Sequence, residues 1–305
     1  MNVLLVGGSG FIGTKLAETL SDRDHNVTVL SRTPSESTLP DGVETAVGDV
    51  TAYDSITSAF EGIDCVVNLV ALSPLFKPSG GSEQHFKVHL GGTENVVAAA
   101  GEHDVEKIVQ MSALGADPHG ETAYIESKGQ AEIAVRNADT ESVVIRPSIV
   151  FGEGGEFVSF TEMLTTPVVT ALPGGGTTRF QPIWVGDLAD MLADAVENDD
   201  HAGATYELGG PEVLSLADVT ELIARSNGHS VTIVPIPMAL VTVGLSLVDP
   251  IPGAPMGADQ ATSLKMDNVT DDNAIEAFGV APDELRTLES YLGLSTPGES
   301  NTPVG

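Results

Sequence analysis

The chain has 305 residues, 41% of them hydrophobic, which suffices for a sizeable core in one large α/β unit or a nucleotide domain with a smaller lobe. Its 44 acidic side chains face only 13 basic ones, for a formal charge of -31, and no basic stripe is present to hold the phosphates of a nucleic acid. The acids are scattered rather than gathered in a tail, and at molar salt the Debye length falls to about 3 Å, so the charge reads as adaptation to a salt-rich cytoplasm, with a basic partner as the alternative.

The opening residues, MNVLLVGGSG, run straight into an apolar strand without a basic flank, so no signal peptide is expected and the location predicted is cytoplasmic. After the strand from Val3 to Val6 come Gly7, Gly10 and Gly13 in GGSGFIG, and then a helical pattern from Phe11 to Leu20. Glycine is needed where the chain turns sharply and its backbone approaches a pyrophosphate seated at a helix N-terminus, so this turn, with Ser9, Phe11 and Ile12, is a candidate dinucleotide site. The next strand, Val27 to Leu30, ends in SRT. Where an NAD site places a carboxylate for the ribose hydroxyls, Arg32 offers a planar cation suited to a 2′-phosphate, with Ser31 beside it. NADP(H) is therefore expected over NAD(H), which stays as the alternative if Arg32 is a solvated surface residue.

Strands are predicted from Val43 to Val47 and from Cys65 to Val70. Cys65, the single cysteine, permits no intrachain disulfide and reads as a small buried hydrophobe. A helix follows from Ser82 to Ala100, carrying His85 and His89 four apart; no third ligand is placed near them, so they read as helix-surface histidines and no metal site is expected. The strand from Ile108 to Met111 runs into Ser112, and a helix from Ala123 to Asn137 puts Tyr124 and Lys128 on one face. A free phenol near pKa 10 is a poor proton relay at neutral pH, and a neighbouring ammonium would lower that value.

After the strand from Val143 to Ile145 the rhythm changes to Gly/Pro-rich connections, FGEGGEF and LPGGG, then a helix opening near Val185 and a strand from Thr205 to Leu208. The organisation expected is a nucleotide-binding domain over residues 1–150, completed by about 178–210, with a smaller substrate lobe over 151–177 and 211–295 and a disordered tail over 296–305. The segment from Ser230 to Val248 is uncharged, but Pro235 and Pro237 leave only Met238 to Val248 as helix. At about 1.5 Å per residue that reaches about half of a hydrocarbon core near 30 Å, so no transmembrane span is expected; a buried helix, a lid or an interfacial helix remains.

The spacing GxxGxxG, the order Ser112, Tyr124, Lys128, and the segments GGTENVVAAA, VEKIVQMSALGA, YIESKGQAE, VIRPSIVFG, FQPIWVGDLA and VPIPMALV cover most of residues 1 to 280. In these the chain resembles extended and atypical short-chain dehydrogenases/reductases of the NAD-dependent epimerase/dehydratase superfamily, above all the group containing the NADPH-binding accessory subunit of respiratory complex I. The resemblance implies a doubly wound parallel Rossmann sheet. It implies Asp49 and Val50 beside the adenine, Leu69, Val70 and Ala71 along the adenosine ribose, and Met111, Pro147 and Ile149 as further cofactor contacts. It assigns Tyr124 to proton transfer, Ser112 to orienting the substrate oxygen, and Lys128 to the nicotinamide ribose and the phenol. His89 departs from the Asn of a proton relay that many relatives carry; its imidazole, titrating near neutral pH, is the alternative acid.

Three functions follow from the resemblance. The first is an oxidoreductase acting on a small, rather apolar carbonyl, hydroxyl or quinone-like molecule. The second is a non-catalytic NADPH-binding subunit attached peripherally to a membrane redox complex. The third, a nucleotide-sugar epimerase or dehydratase, is weakened because beyond Pro147 only Arg179, Arg225, Lys265 and Arg286 could meet a substrate pyrophosphate. The sequence leaves the oligomeric state open.

Overall fold

Strand β1 (Asn2–Val6) is buried on both faces: Val3 and Leu5 enter one apolar cluster, Leu4 and Val6 another. Period-2 side chains with no polar face are what a parallel strand covered on both sides by helices requires. The computed structural model describes residues 1–249 and 256–294. From β1 the chain passes through α1 (Phe11–Asp22), β2 (Asn26–Ser31), β3 (Glu44–Val47) and β4 (Cys65–Asn68). A short α2 (Glu83–His85), a π-helical stretch (Phe86–Gly91) and α3 (Gly92–Glu102) lead to β5 (Lys107–Met111), α4 (Ala123–Arg136) and β6 (Glu141–Pro147).

After β7 (Val150–Phe151) come α5 (Glu156–Leu164), β8 (Val168–Pro173), β9 (Arg179–Phe180), β10 (Ile183–Trp184) and α6 (Val185–Glu197). The remainder comprises β11 (Thr205–Leu208), β12 (Leu214–Ser215), α7 (Leu216–Ser226), β13 (Val231–Ile236), α8 (Met238–Val248) and α9 (Ala258–Ser263).

Seven strands form one parallel sheet in the order β11-β6-β5-β4-β1-β2-β3. Helices α1 and α6 supply Leu16, Leu20, Leu188 and Leu192 to one face, while Val96, Ala99 and Ala100 of α3 cover the other. This is the Rossmann-type arrangement. The order reverses between β1 and β4, and the crevice outside the carboxyl ends of those strands is where such sheets bind ligands. Cys65 sits in the first cluster, its thiol pushed up to about 12 by burial.

Two elements differ from their local patterns. The apolar run to Val70 stops being strand at Asn68, whose buried side chain donates to Thr93 Oγ1 (3.1 Å) and Gln110 Oε1 (2.9 Å) while its Oδ1 accepts from the Val70 N–H (3.4 Å). That turns the chain out of the ladder just above the crevice. The helix expected from Ser82 to Ala100 is interrupted by the π-helical stretch, a feature that re-aims side chains within a helix and is frequent at functional sites.

Beyond β6, Phe151, Phe157, Val219, Ile223 and Leu288 build a third apolar cluster. The helix expected from Met238 to Val248 forms as α8. Among the described residues no helix is long and apolar enough to cross a membrane. The tail expectation for residues 296–305 lies outside the described residues.

Candidate functional site

Gly7 has φ +83°, a conformation that side chains rarely adopt, and a Cβ there would meet Val70 Cγ2 at 3.0 Å. A Cβ on Gly13 would lie 2.5 Å from Gly8 Cα, so these glycines let α1 begin hard against the β1 turn. The N-cap, Gly10, has no side-chain cap, and the first turn of α1 carries no acid. Its N–H groups and positive dipole end are thus open to an anion.

That turn is one wall of a cleft of about 750 Å³. The cofactor and Ser-Tyr-Lys residues expected from the sequence, from Gly7 and Ser9 through Ser31, Arg32, Asp49, Val50, Leu69, Val70 and Ala71 to Met111, Ser112, Tyr124, Lys128, Pro147 and Ile149, line it; His85 and His89 do not. The Asp49 pKa is lowered from its ordinary value, first by the Thr51 N–H (2.9 Å) and with help from the Thr51 hydroxyl and the nearby Arg32 and Lys87. The Ser31 hydroxyl is buried without a hydrogen-bond partner, next to an exposed Arg32. An orphaned hydroxyl beside a cation, an uncapped helix start and glycines where any Cβ would collide fit a phosphorylated dinucleotide.

Lys128 is 1% exposed, and its ammonium donates to the carbonyl oxygens of Met111 (3.1 Å), at the end of β5, and Val70 (3.4 Å), two residues past the end of β4. Burial lowers its pKa to about 8, with Glu132 pulling the other way. The phenol of Tyr124 does not follow the sequence expectation, because burial pushes it up to about 12 and the ammonium turned toward the two carbonyls does not offset this. Tyr124 is therefore a phenol, and a proton donor, throughout the neutral range.

The Ser112 hydroxyl donates to the buried carboxylate of Glu132, which also receives Arg146 Nε (2.8 Å), Arg146 Nη2 (2.7 Å) and Arg136 Nη2 (2.7 Å). With its proton committed there, Ser112 cannot at the same time donate to a substrate oxygen.

His85 and His89 are not surface residues: each is 1% exposed, and both rings stand edge-to-face on Tyr124, with centroids 5.7 and 5.4 Å away. Helical spacing alone does not say which face is covered, and here α4 covers it. His89 Nε2 accepts from the Leu72 N–H (2.9 Å), so Nδ1 carries the proton and donates to Ser127 Oγ (2.9 Å), which in turn donates to the Tyr124 carbonyl (3.0 Å). Burial, then Lys128 and His85, lower the His89 pKa to about 2. The imidazole is a neutral strut between the Leu72 segment and α4, which rules it out as an acid near neutral pH. Among the described residues no third ligand-type side chain joins the pair.

A second cavity of about 190 Å³ shares Tyr124, Ala113, Pro147, Ser148, Ile149, Pro74 and Leu75 with the cleft. Leu114, Ile125, Phe160, Phe180, Leu264 and Met266 add apolar wall; Ser112 does not line it. Several of its polar groups are already engaged: Ser148 Oγ donates to Asn268 Oδ1 (2.7 Å), Asp267 accepts from Arg179 (2.7 Å), and Gln260 Oε1 accepts from Gly257 N (2.9 Å). Among the described lining residues there is no Lys or Arg.

Sequence reasoning missed Glu132, although it follows Tyr124 and Lys128 at the same four-residue step on α4. It also missed Lys87 in the cleft wall and Asn95, whose amide donates to the Val50 carbonyl (2.7 Å) and fixes the Asp49 turn.

A protein family described as NAD(P)H-binding matches residues 7–199. The chain is 27% identical over 289 residues to NADH dehydrogenase (ubiquinone) 1 alpha subcomplex subunit 9 of Arabidopsis thaliana, covering 88% of this chain and 71% of that protein. It is 27% identical to a 3 beta-hydroxysteroid dehydrogenase/Delta 5-->4-isomerase of Mycobacterium tuberculosis, over 74% of this chain and 70% of the other. In fold it is similar to the crystal structure of UDP-glucose 4-epimerase from Thermotoga maritima, with a TM-score of 0.74 at 18% identity, covering 96% of this chain and 97% of that one.

Proposed function

Because the chain belongs to the NAD(P)H-binding family, we propose that it is an NADP(H)-dependent oxidoreductase that reduces the carbonyl group of a small, rather apolar molecule. The observation that carries this reading is the position of Tyr124, in the wall common to a dinucleotide-sized cleft and an apolar cavity. The nicotinamide, when bound, supplies hydride to the carbonyl carbon. Tyr124 gives its phenolic proton to the carbonyl oxygen, and a phenol with a pKa about 12 is in the right form to do so at any physiological pH. Lys128 holds the nicotinamide ribose, and Arg32 with Ser31 holds the 2′-phosphate.

The apolar cavity and the likeness to a hydroxysteroid dehydrogenase support an apolar substrate. Reading the chain as a nucleotide-sugar epimerase fits less well, because no cation of the described cavity wall meets a substrate pyrophosphate.

One observation favours a second reading. The bond from Ser112 to Glu132 takes away the hydroxyl expected to orient a substrate oxygen, which suits a non-catalytic NADPH-binding subunit docked on a redox complex; the Arabidopsis relative is by name a subunit of an NADH dehydrogenase.

The deciding experiment follows NADPH oxidation with a panel of apolar ketones and quinones, alongside NADP+ and NAD+ titrations of wild type and Arg32→Ala. Turnover with at least one substrate, and a preference for NADP+ that Arg32→Ala abolishes, is the expected result. Tight NADPH binding with no turnover on any of them hands the case to the accessory subunit. Equal affinity for the two cofactors overturns the NADP(H) assignment.

A further inference from the structure

Basic side chains are scarce in this protein, and most are neutralised where they stand. Lys15, Arg23, Lys77, Lys107, Arg136, Arg146, Arg179 and Arg225 each form an ion pair, and Arg286 stacks on Trp184 and Tyr291. Among the described residues, the cations with no ion pair are otherwise Lys265 and the three in the cleft wall: Arg32, Lys87 and Lys128. Lys128 has the carbonyls of Met111 and Val70. Arg32 and Lys87 are both exposed.

The helix fixes where Lys87 points. Gln84, Lys87 and Val88, at i, i+3 and i+4, line the cleft, while His85 and His89 on the adjoining face pack on Tyr124. Two contacts then press this helix against the turn after β3. The absent Cβ of Gly92 would stand 2.8 Å from Val50 Cγ2, and the Asn95 amide donates to the Val50 carbonyl at 2.7 Å. Lys87 is thereby brought to the Asp49 turn, beside the end of β2 where Arg32 begins. Both cations act on the Asp49 carboxylate, yet that carboxylate is bonded to Thr51 and closes an ion pair with neither.

We propose that Lys87 is a second specificity-determining cation, gripping with Arg32 and Ser31 the 2′-phosphate of the dinucleotide at the β2–β3 end of the cleft. This rests on the NADP(H) reading above and names a residue that reading does not contain. A phosphate monoester carries nearly two negative charges at neutral pH, which one guanidinium leaves half compensated. The pyrophosphate is a poor alternative partner, because the uncapped start of α1 serves it and lies at β1, on the other side of β2 from the Asp49 turn.

The test is calorimetric titration of wild type, Lys87→Gln and Lys87→Arg with NADP+, NAD+, adenosine 2′,5′-bisphosphate and AMP. The KCl concentration is the lowest at which circular dichroism shows all three folded, since salt screens an exposed contact. Lys87→Gln is expected to weaken NADP+ and the bisphosphate about ten-fold, as for loss of one charge-assisted phosphate contact, while NAD+ and AMP stay within about two-fold. Lys87→Arg should keep most of the preference. A loss shared equally by NADP+ and NAD+, or no loss, overturns the role of Lys87 while leaving a wild-type preference for NADP+ standing. A wild type that does not distinguish NADP+ from NAD+ removes the NADP(H) reading, and this inference with it.

Discussion

Replacing Lys128 with Met removes a buried ammonium and keeps its apolar stem, and the effect on stability should depend on pH in a calculable way. The folded-state pKa of about 8 lies below the ordinary value of 10.5, so between those values the unfolded chain binds more protons than the folded one, and wild-type stability rises with pH. At 1.36 kcal/mol per unit, burial of the charge costs about 3 kcal/mol at pH 7 and about 1 kcal/mol at pH 9.5. Methionine does not titrate. The wild type should therefore gain about 2 kcal/mol on Lys128→Met between those two pH values. The lost bonds to the Met111 and Val70 carbonyls, about 1 kcal/mol each, shift the variant equally at both, so the slope rather than the absolute difference is the test. Urea unfolding in fixed molar KCl measures it. A difference between the two proteins that is the same at pH 7 and 9.5 would mean that the ammonium is solvated in the folded protein, and a water-excluded floor of the cleft at Lys128 would be refuted. The same variant should bind NADP+ far more weakly, placing Lys128 where function is kept at the expense of stability.

Tyr124→Phe should retain NADPH binding and lose carbonyl reduction, since it deletes only the transferable proton; surviving turnover, measured by NADPH absorbance, would remove Tyr124 from the chemistry. Ser112→Ala deletes one bond to Glu132 and should lower stability by about 1 to 2 kcal/mol in urea titrations, with NADP+ affinity unchanged and turnover far less affected than in Tyr124→Phe. A loss of turnover as large as that of Tyr124→Phe would restore Ser112 to a role at the substrate. Melting temperature should fall as KCl is lowered from molar to millimolar, because the charge of -31 is then unscreened; a constant melting temperature would show the acids to be benign.

The sheet and the cleft were legible because their determinants are local. An uninterrupted apolar strand such as Val3 to Val6 has to be covered on both faces, a glycine turn between a strand and a helix start admits an anion, and Tyr124 and Lys128 share a face by helical periodicity alone. Reading the order of these elements along the chain was enough to bring the cofactor residues with Ser112, Tyr124 and Lys128, though not His89, to one crevice. What that reading could not supply were contacts between segments distant in sequence, whose sign depends on what packs opposite. Spacing made His85 and His89 a pair on one face; α4, some forty residues on, buries that face and turns His89 into a neutral strut to Leu72. The same holds for the Ser112 hydroxyl, which donates to Glu132, a carboxylate held in place by arginines from β6 and α4, and for the Tyr124 phenol, where the cost of desolvation exceeds the pull of a cation bonded elsewhere. Periodicity and glycine geometry determine where the chain can go, but the protonation state and direction of each polar group follow from solvent exclusion and partner geometry, which exist only once the tertiary structure has formed.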